Sequence, residues 1–261
     1  MRENTIYNCD CVTGMQQHIE DESIDLTVTS PPYDDLRTYD GYSFDFEGVA
    51  SELYRITKPG GIVVWVVGDQ THKGSESGTS FRQALHFKDI GFRLHDTMIY
   101  EKDSISFPDK TRYYQVFEYM FILSKGKPKT FNPIRDRKNK WYNGKKHIKG
   151  SYRTAEGEKK RHNKQNLLQE YGVRFNIWRI PTGCGKSSKD PFGSKHPAIF
   201  PERLAEDHIL SWSNEGDIVF DPFMGSGTVA KMAKQNNRQY CGFEISKTYH
   251  EICQDRLHTL L

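Results

Sequence analysis

Apolar residues fall along this chain in two kinds of block, and their alternation predicts the fold class. Ile24 to Val28, Ile62 to Val67 (IVVWVV), Phe117 to Leu123 (FEYMFIL) and Ile218 to Phe220 are short, nearly continuous runs rich in β-branched and aromatic residues. Such runs read as strands, and the complete lack of alternation in Ile62 to Val67 predicts one covered on both faces, as in a parallel sheet. Further strands are predicted at Asn4 to Asp10, Phe92 to Tyr100, Val173 to Ile180 and Tyr240 to Ile245. Between them lie blocks with helical spacing. Val12 to Glu20 places Val12, Met15 and Ile19 on one side, Phe46 to Ile56 places Val49, Leu53 and Ile56, and Ser80 to Lys88 places Phe81 and Leu85. Pro201 to Ser211 has proline in its first turn with Leu204, Ala205, His208 and Ile209 together, and helices are also predicted at Val229 to Gln235 and Tyr249 to Leu261. Strands alternating with helices at this spacing give an α/β fold with a doubly wound sheet.

Two places break the pattern in ways that carry chemistry. Ile24 to Val28 leads into Thr29-Ser30-Pro31-Pro32-Tyr33, where consecutive prolines that cannot donate to a ladder end the strand in a stiff turn. That turn holds the Ser30 and Pro31 carbonyls in fixed directions between a hydroxyl and an aromatic ring, which is what gripping a flat base by its amino group requires. The segment from Asp34 to Phe46, rich in Tyr, Asp and Gly, has no periodic apolar face and reads as a loop, and Lys58-Pro59-Gly60-Gly61 reads as a helix stop.

The second place is Asp217 to Ala230 (DIVFDPFMGSGTVA), where Asp221-Pro222 ends a buried strand and Gly225-Ser226-Gly227-Thr228 turns into a helix. Glycines there allow a ligand close to the backbone, and the helix start offers unpaired N–H groups to an anion. Glu244 closes the next strand roughly 20 residues on, where a carboxylate takes ribose hydroxyls. A dinucleotide site is the rival reading, but the expected third glycine is Ala230. Gly183-Cys184-Gly185-Lys186-Ser187 imitates a phosphate loop and fails as one, because the required earlier glycine is Ile180 and no strand-to-helix context surrounds it.

Composition narrows the classes. At 261 residues, with 36% hydrophobic and 27% charged positions, the chain can bury one large α/β core with an insertion. No apolar run approaches the roughly 20 residues of a membrane span, and the start lacks a signal-peptide core, so a cytoplasmic location is expected. Five cysteines without zinc-type pairing read as free buried thiols in a reducing compartment, with no metal site. His196 and His208 read as a turn residue and a helix-face residue. The net charge of +3 is unevenly spread: between Lys125 and Lys164 stand fifteen Lys or Arg against three acids, with Phe131, Trp141, Tyr142 and Tyr152 interleaved. That composition predicts a nucleic-acid-binding insertion.

In these two turns together the chain resembles the amino-methylating DNA methyltransferases, which use S-adenosylmethionine. Ser30-Pro31-Pro32-Tyr33 matches that family's target-amino motif, and Phe223-Met224-Gly225-Ser226-Gly227 matches its cofactor motif. The order of the two, with the basic segment between them, resembles the circularly permuted β group. The stretch Lys195-His196-Pro197-Ala198 and the helix after it are similar to the segment preceding the cofactor strand in that group. The resemblance implies a Rossmann-like methyltransferase sheet with a catalytic half at 1–124, a basic target-recognition insertion at 125–172 and a cofactor half at 173–261. It implies that Ser30, Pro31, Pro32 and Tyr33 hold an extruded base, and that Asp10, Asp221, Pro222, Phe223, Gly225, Ser226, Gly227, Thr228 and Glu244 form the cofactor site, with Asp10 near the adenine.

An exocyclic amino nitrogen is a poor nucleophile while its lone pair is delocalised into the base. Ser30 Oγ and the Pro31 carbonyl would accept its two hydrogens and favour a pyramidal nitrogen, with Tyr33 stacked on the base. No cysteine follows a proline, in keeping with chemistry that needs no covalent thiol. Serine at the first motif position favours cytosine-N4, with adenine-N6 as the alternative, and Asp34 and Asp35 are candidates for the released proton. A non-catalytic DNA-binding relic, or an acceptor that is RNA or a protein amide, remain the other readings. Double-stranded DNA is the expected partner, with a homodimer and a cognate restriction endonuclease as possible associations in this family.

Overall fold

A computed structural model describes residues 3–32, 44–105, 108, 110–140, 142, 151–161, 169–183, 185–192 and 198–259. Tyr33, Asp34, Asp35, Trp141, Cys184, Lys195, His196 and Pro197 lie outside the described residues. The chain divides into two compact units, Met1–Asn132 with Asn176–Leu261, and Pro133–Phe175.

The larger unit is built on β1 (Thr5–Tyr7), β2 (Ile24–Thr29), β3 (Thr57–Val67), β6 (Arg93–Glu101), β7 (Phe117–Ser124), β12 (Ile177–Arg179), β13 (Ile218–Asp221) and β14 (Gln239–Phe243). They form one eight-stranded sheet in the order β1-β14-β13-β2-β3-β7-β6-β12. Helices α1 (Cys11–His18), α2 (Phe46–Ile56), α3 (Thr79–Asp89), α4 (Glu202–Trp212), α5 (Thr228–Gln235) and α6 (Lys247–His258) connect the strands, and β4 (Thr71–His72) with β5 (Ser75–Glu76) forms a small separate ribbon.

Helix α2 has the bounds its spacing predicts. Asp45 caps it by accepting from the Gly48 N–H, and Val49, Ala50, Leu53 and Ile56 are its buried stripe. Ile62 to Val67 is buried throughout, as expected of a strand covered on both faces. Each such apolar side chain contributes about 2 kcal/mol relative to exposure. Trp65, Phe87, Phe220, Phe243, Met15 and Leu53 belong to the same core cluster, and the Trp65 indole N–H donates to Gln83 Oε1 at 2.9 Å.

Five expectations need correction. The sheet is not wholly parallel, because β7 runs antiparallel to both β3 and β6. No helix lies between β6 and β7 among the described residues, so the chain turns back without the helical crossover that usually joins parallel neighbours. Helix α2 does end at Ile56, ahead of Lys58-Pro59-Gly60-Gly61, but that stretch belongs to a strand: β3 already starts at Thr57, before the expected Ile62, and its pairing with β2 jumps from Ile24↔Thr57 to Leu26↔Ile62. Gly60, at φ +84°, serves this irregularity by donating to the Lys125 carbonyl at 2.6 Å. The strand foreseen over Asn4 to Asp10 covers Thr5–Tyr7, and Pro201 is the N-cap of α4 and not its first turn. Finally, Cys9 and Cys11 are half-buried, whereas Cys241 and Cys253 are fully buried; all four are free thiols.

The smaller unit has little regular structure. Arg137–Lys138 (β8) pairs antiparallel with Tyr171–Gly172 (β11), and Ser151–Arg153 (β9) with Lys159–Arg161 (β10). The Arg137 guanidinium lies 4.6 Å from the Phe175 ring centroid, and Arg174 Nε donates to Asp136 at 2.8 Å. No helix among the described residues is long and apolar enough to cross a membrane.

Candidate functional site

The two motif turns leave neighbouring strands at the same edge of the sheet. Strand β13 pairs in parallel with β2, Val219 opposite Leu26 and Phe220 opposite Thr27, and on its other side with β14, Asp221 opposite Gly242. From this pair the chain runs outward in opposite senses, β13 to β14 on one side and β2 to β3 on the other. Such a reversal of strand order opens a crevice at the carboxyl ends of the strands. A buried side-chain bond ties the tips together, Thr29 Oγ1 donating to Asp221 Oδ1 at 2.6 Å. Ser30 follows directly, half-buried, then a buried Pro31 and a half-buried Pro32.

The turn after β13 is held by a closed set of bonds. Asp221 Oδ1 also accepts from the Phe223 N–H at 3.0 Å, and the Met224 N–H donates to the Phe243 carbonyl at 2.8 Å. The Gly225 N–H donates to Glu244 Oε2 at 2.7 Å and the Gly227 N–H to the Met224 carbonyl at 2.9 Å. Gly225 and Gly227 have φ of +53° and +80°, the left-handed region that favours glycine. At Gly227 a side chain is also excluded by packing, since a Cβ would overlap Cys253 Sγ of α6. This glycine therefore lets α6 close on the turn from behind. Gly227 is the N-cap of α5 without a side-chain capping bond, so the N–H groups of the first helical turn are free to meet an anion.

Glu244 stands just beyond β14. Its Oε1 accepts from the Ser246 N–H at 2.8 Å while Oε2 holds Gly225. Each carboxylate oxygen retains a second acceptor position, so the group braces the turn and can still take ribose hydroxyls. Asp10, exposed after β1, caps α1 by accepting from the Thr13 N–H at 2.9 Å and likewise keeps acceptor capacity. Phe223 is half-buried, with Phe44 edge-on at 5.5 Å and Trp65 at 6.4 Å between ring centroids.

Burial pushes the Asp221 carboxyl up to about 7, and the nearby charge of Glu244 adds to the rise, while the bonds from Thr29 and Phe223 oppose it. Burial also raises Glu244, against the backbone N–H groups of Ser246 and Gly225. The Cys241 and Cys253 thiols are driven by burial to about 12, which leaves no thiolate nucleophile at either position. His208 is fully buried, tilted against Trp178 with ring centroids 4.5 Å apart, and its Nε2 is 3.2 Å from Met120 Sδ. No group of ligands able to hold a metal occurs among the described residues.

Three contributors escaped the sequence reading. Asn8 Nδ2 donates to the carbonyl of Glu244 at 2.7 Å, fixing the strand end that carries the acid. Thr29 bridges the two tips. Gly242 lets β14 lie against the Asp221 carbonyl and the Met224 methyl, where a Cβ would overlap both. A glycine inside an apolar strand run is the one visible signal among these.

A profile of the DNA methylase family matches residues 24–255. The chain belongs to that family. Among relatives of this DNA methylase, the orphan methyltransferase M.BamHII of Bacillus amyloliquefaciens is 75% identical over 93% of this chain and 92% of its own length. The type II methyltransferase M.BglII of Bacillus subtilis is 30% identical over 95% of this chain and 67% of its own. The fold of this chain is similar to that of PvuII DNA methyltransferase (cytosine-N4-specific), with a TM-score of 0.71 at 21% identity over 98% of this chain and 86% of that one. It is also similar to the M1.HpyAVI–SAM complex, with a TM-score of 0.62 at 20% identity over 97% of this chain and 98% of that one.

Proposed function

We propose that this DNA methylase transfers a methyl group from S-adenosylmethionine to the N4 amino group of cytosine in duplex DNA. The observation that carries the reading is the bond from Thr29 to Asp221, which brings the Ser30-Pro31-Pro32 turn beside the glycine turn on adjacent strand ends.

The donor chemistry suits the cofactor. The first-turn N–H groups of α5 fit its carboxylate, the remaining acceptor positions of Glu244 fit its ribose hydroxyls, and the ring of Phe223 and the carboxylate of Asp10 fit its adenine. When bound, the cofactor supplies an electrophilic methyl on a sulfonium. Asp221, Pro222, Gly225, Ser226, Gly227 and Thr228 shape this cradle; Asp221 does so from within, since its carboxylate bonds to Thr29 and Phe223.

Ser30 Oγ and the Pro31 carbonyl accept the two hydrogens of the target amino group and draw its lone pair out of conjugation. Pro32 stiffens the turn and Tyr33 stacks on the extruded base. The choice of cytosine over adenine follows the resemblance, in which serine at the first motif position accompanies cytosine-N4 methylation. The lost proton leaves to water or to Asp34 or Asp35.

The smaller unit supplies the DNA-binding surface. In its exposed ribbon Lys159 stands directly opposite Arg153, and Lys160 opposite Tyr152. Like charges facing across a ladder are unfavourable alone, and phosphates relieve that repulsion.

Single-molecule long-read sequencing of DNA from cells making the protein tests the whole reading. N4-methylcytosine in one sequence context, absent with Ser30→Ala, is the expected result. N6-methyladenine would overturn the base assignment, and an unmodified genome would overturn the activity.

A further inference from the structure

Behind the glycine turn lies a buried charge cluster to which the reaction described above assigns no role. Arg256 of α6 is 1% exposed, although it carries a guanidinium. Its Nε donates to Asp190 Oδ2 at 2.9 Å, and its Nη2 to Glu202 Oε1 at 2.8 Å and Ser188 Oγ at 3.0 Å. Lys231 of α5 donates to the same two acids, to Asp190 Oδ2 at 2.7 Å and Glu202 Oε1 at 2.5 Å. Among the described residues the cluster joins two cations to two acids, and each acid is shared by both cations.

The two cations differ in what else they reach. The Nη1 of Arg256 donates to the Ser226 carbonyl at 3.0 Å and to Thr228 Oγ1 at 2.9 Å, gripping the glycine turn on both sides of Gly227. Lys231 makes no side-chain bond to that turn among the described residues. A buried ion cluster is a weak source of stability, since well-packed apolar side chains serve as well. A planar, five-donor fork that spans two acids and a loop carbonyl has a geometric use that an ammonium lacks. Holding the Ser226 carbonyl and the Thr228 oxygen rearward fixes the peptide planes of the turn, and so the direction of the free N–H groups at the start of α5.

We propose that Arg256 is a positioning residue for the cofactor site, anchored by Asp190 and Glu202 and acting through Ser226 and Thr228. The inference rests on the reading that this turn receives S-adenosylmethionine.

Calorimetric titration of S-adenosylmethionine into the full chain, as wild type, Arg256→Lys and Lys231→Met, separates positioning from general stability. Arg256→Lys keeps the buried charge but loses the fork, and its affinity should fall about ten- to a hundredfold, the equivalent of a lost charged hydrogen bond. Methylation should show the same loss in KM for the cofactor, with kcat at saturation nearly unchanged. Lys231→Met breaks the same cluster without touching the turn; its Tm should fall, with affinity within about twofold of wild type. Wild-type affinity in Arg256→Lys, or equal weakening in both variants in step with their Tm, would overturn the proposal. A lysine variant that does not fold also counts against it, since Arg256 is then a requirement of the fold. Wild-type protein that takes up no S-adenosylmethionine would instead sink the underlying reading of the turn.

Discussion

The tips of β13 and β2 sit side by side and are tied by the bond from Thr29 to Asp221, yet they are made rigid by opposite means. Beyond β13, the backbone N–H groups of Phe223, Met224, Gly225 and Gly227 are spent on internal acceptors, on Asp221, the Phe243 carbonyl, Glu244 and the Met224 carbonyl. Beyond β2, Pro31 and Pro32 have no N–H to spend, and their rings set φ covalently. A cofactor presents the same shape at every turnover, so its cradle can be bonded shut and buried in advance. A target base must enter from DNA and be held by acceptors, and a proline turn is stiff without needing acceptors for itself. One tip is organised by hydrogen bonds and packing, the other by covalent geometry.

The largest expected break in that comparison is Ser30→Ala, which removes an acceptor from the target side and leaves the cofactor side intact. Single-turnover kinetics should show kcat lower by about a hundred- to a thousandfold, the scale seen when one preorganised group at a reacting centre is lost. Cofactor affinity and Tm should match wild type; weakened cofactor binding would mean the roles of the two tips are wrongly divided. Gly227→Ala breaks the other side. Its Cβ would overlap Cys253 Sγ at φ +80°, and overpacking with strained backbone should cost about 2–4 kcal/mol in urea unfolding. Adding Cys253→Ala should restore the packing part and leave the φ part, whereas full recovery would show that φ at Gly227 carries no cost.

What was legible in the sequence divides along the same line. Helix α2 could be bounded because its apolar stripe and the Lys58-Pro59-Gly60-Gly61 stop are local, and both motif turns stood out because a buried run met glycine or proline at once. Strand direction was not readable: β7 is as apolar as its neighbours, and only the absence of a helical crossover before it turns it antiparallel. The beginning of β3 was hidden because Pro59, Gly60 and Gly61 read as a stop, while in the fold they form an irregularity inside the strand. At the site, Ser30, Gly225 and Glu244 announce themselves by position after a strand. Asn8, Thr29 and Arg256 do not, since their partners lie 236, 192 and 30 residues away and meet them only once the sheet is wound.

Thr29→Val tests the bond that joins the tips. It preserves shape and removes the hydroxyl donor, leaving a buried carboxyl one partner short, which should cost about 1–3 kcal/mol in urea unfolding. Because both turns depend on this bond, cofactor affinity and kcat should fall together, in contrast to Ser30→Ala; a loss confined to one would show that the tips are held independently.

Asp221→Asn asks in which protonation state that bond is made. Burial raises the carboxyl to about 7 in the fold, from about 3.9 in an open chain. A carboxyl raised on folding keeps its proton longer in the native state than in the unfolded one. Its contribution to stability is therefore complete below about pH 4, declines as pH rises, and is gone above about pH 7. Asparagine does not titrate, and its amide oxygen can still accept from Thr29 and the Phe223 N–H. The Tm of wild type minus that of Asp221→Asn should thus fall between pH 6 and pH 8 by a few degrees, the equivalent of about 1 kcal/mol, and level off beyond. A difference that stays flat over that range would mean that Asp221 keeps one protonation state from pH 6 to pH 8, and a fall found between pH 4 and pH 6 instead would show that state to be the ionised one, the tie between the strand ends then being a charged bond near neutral pH.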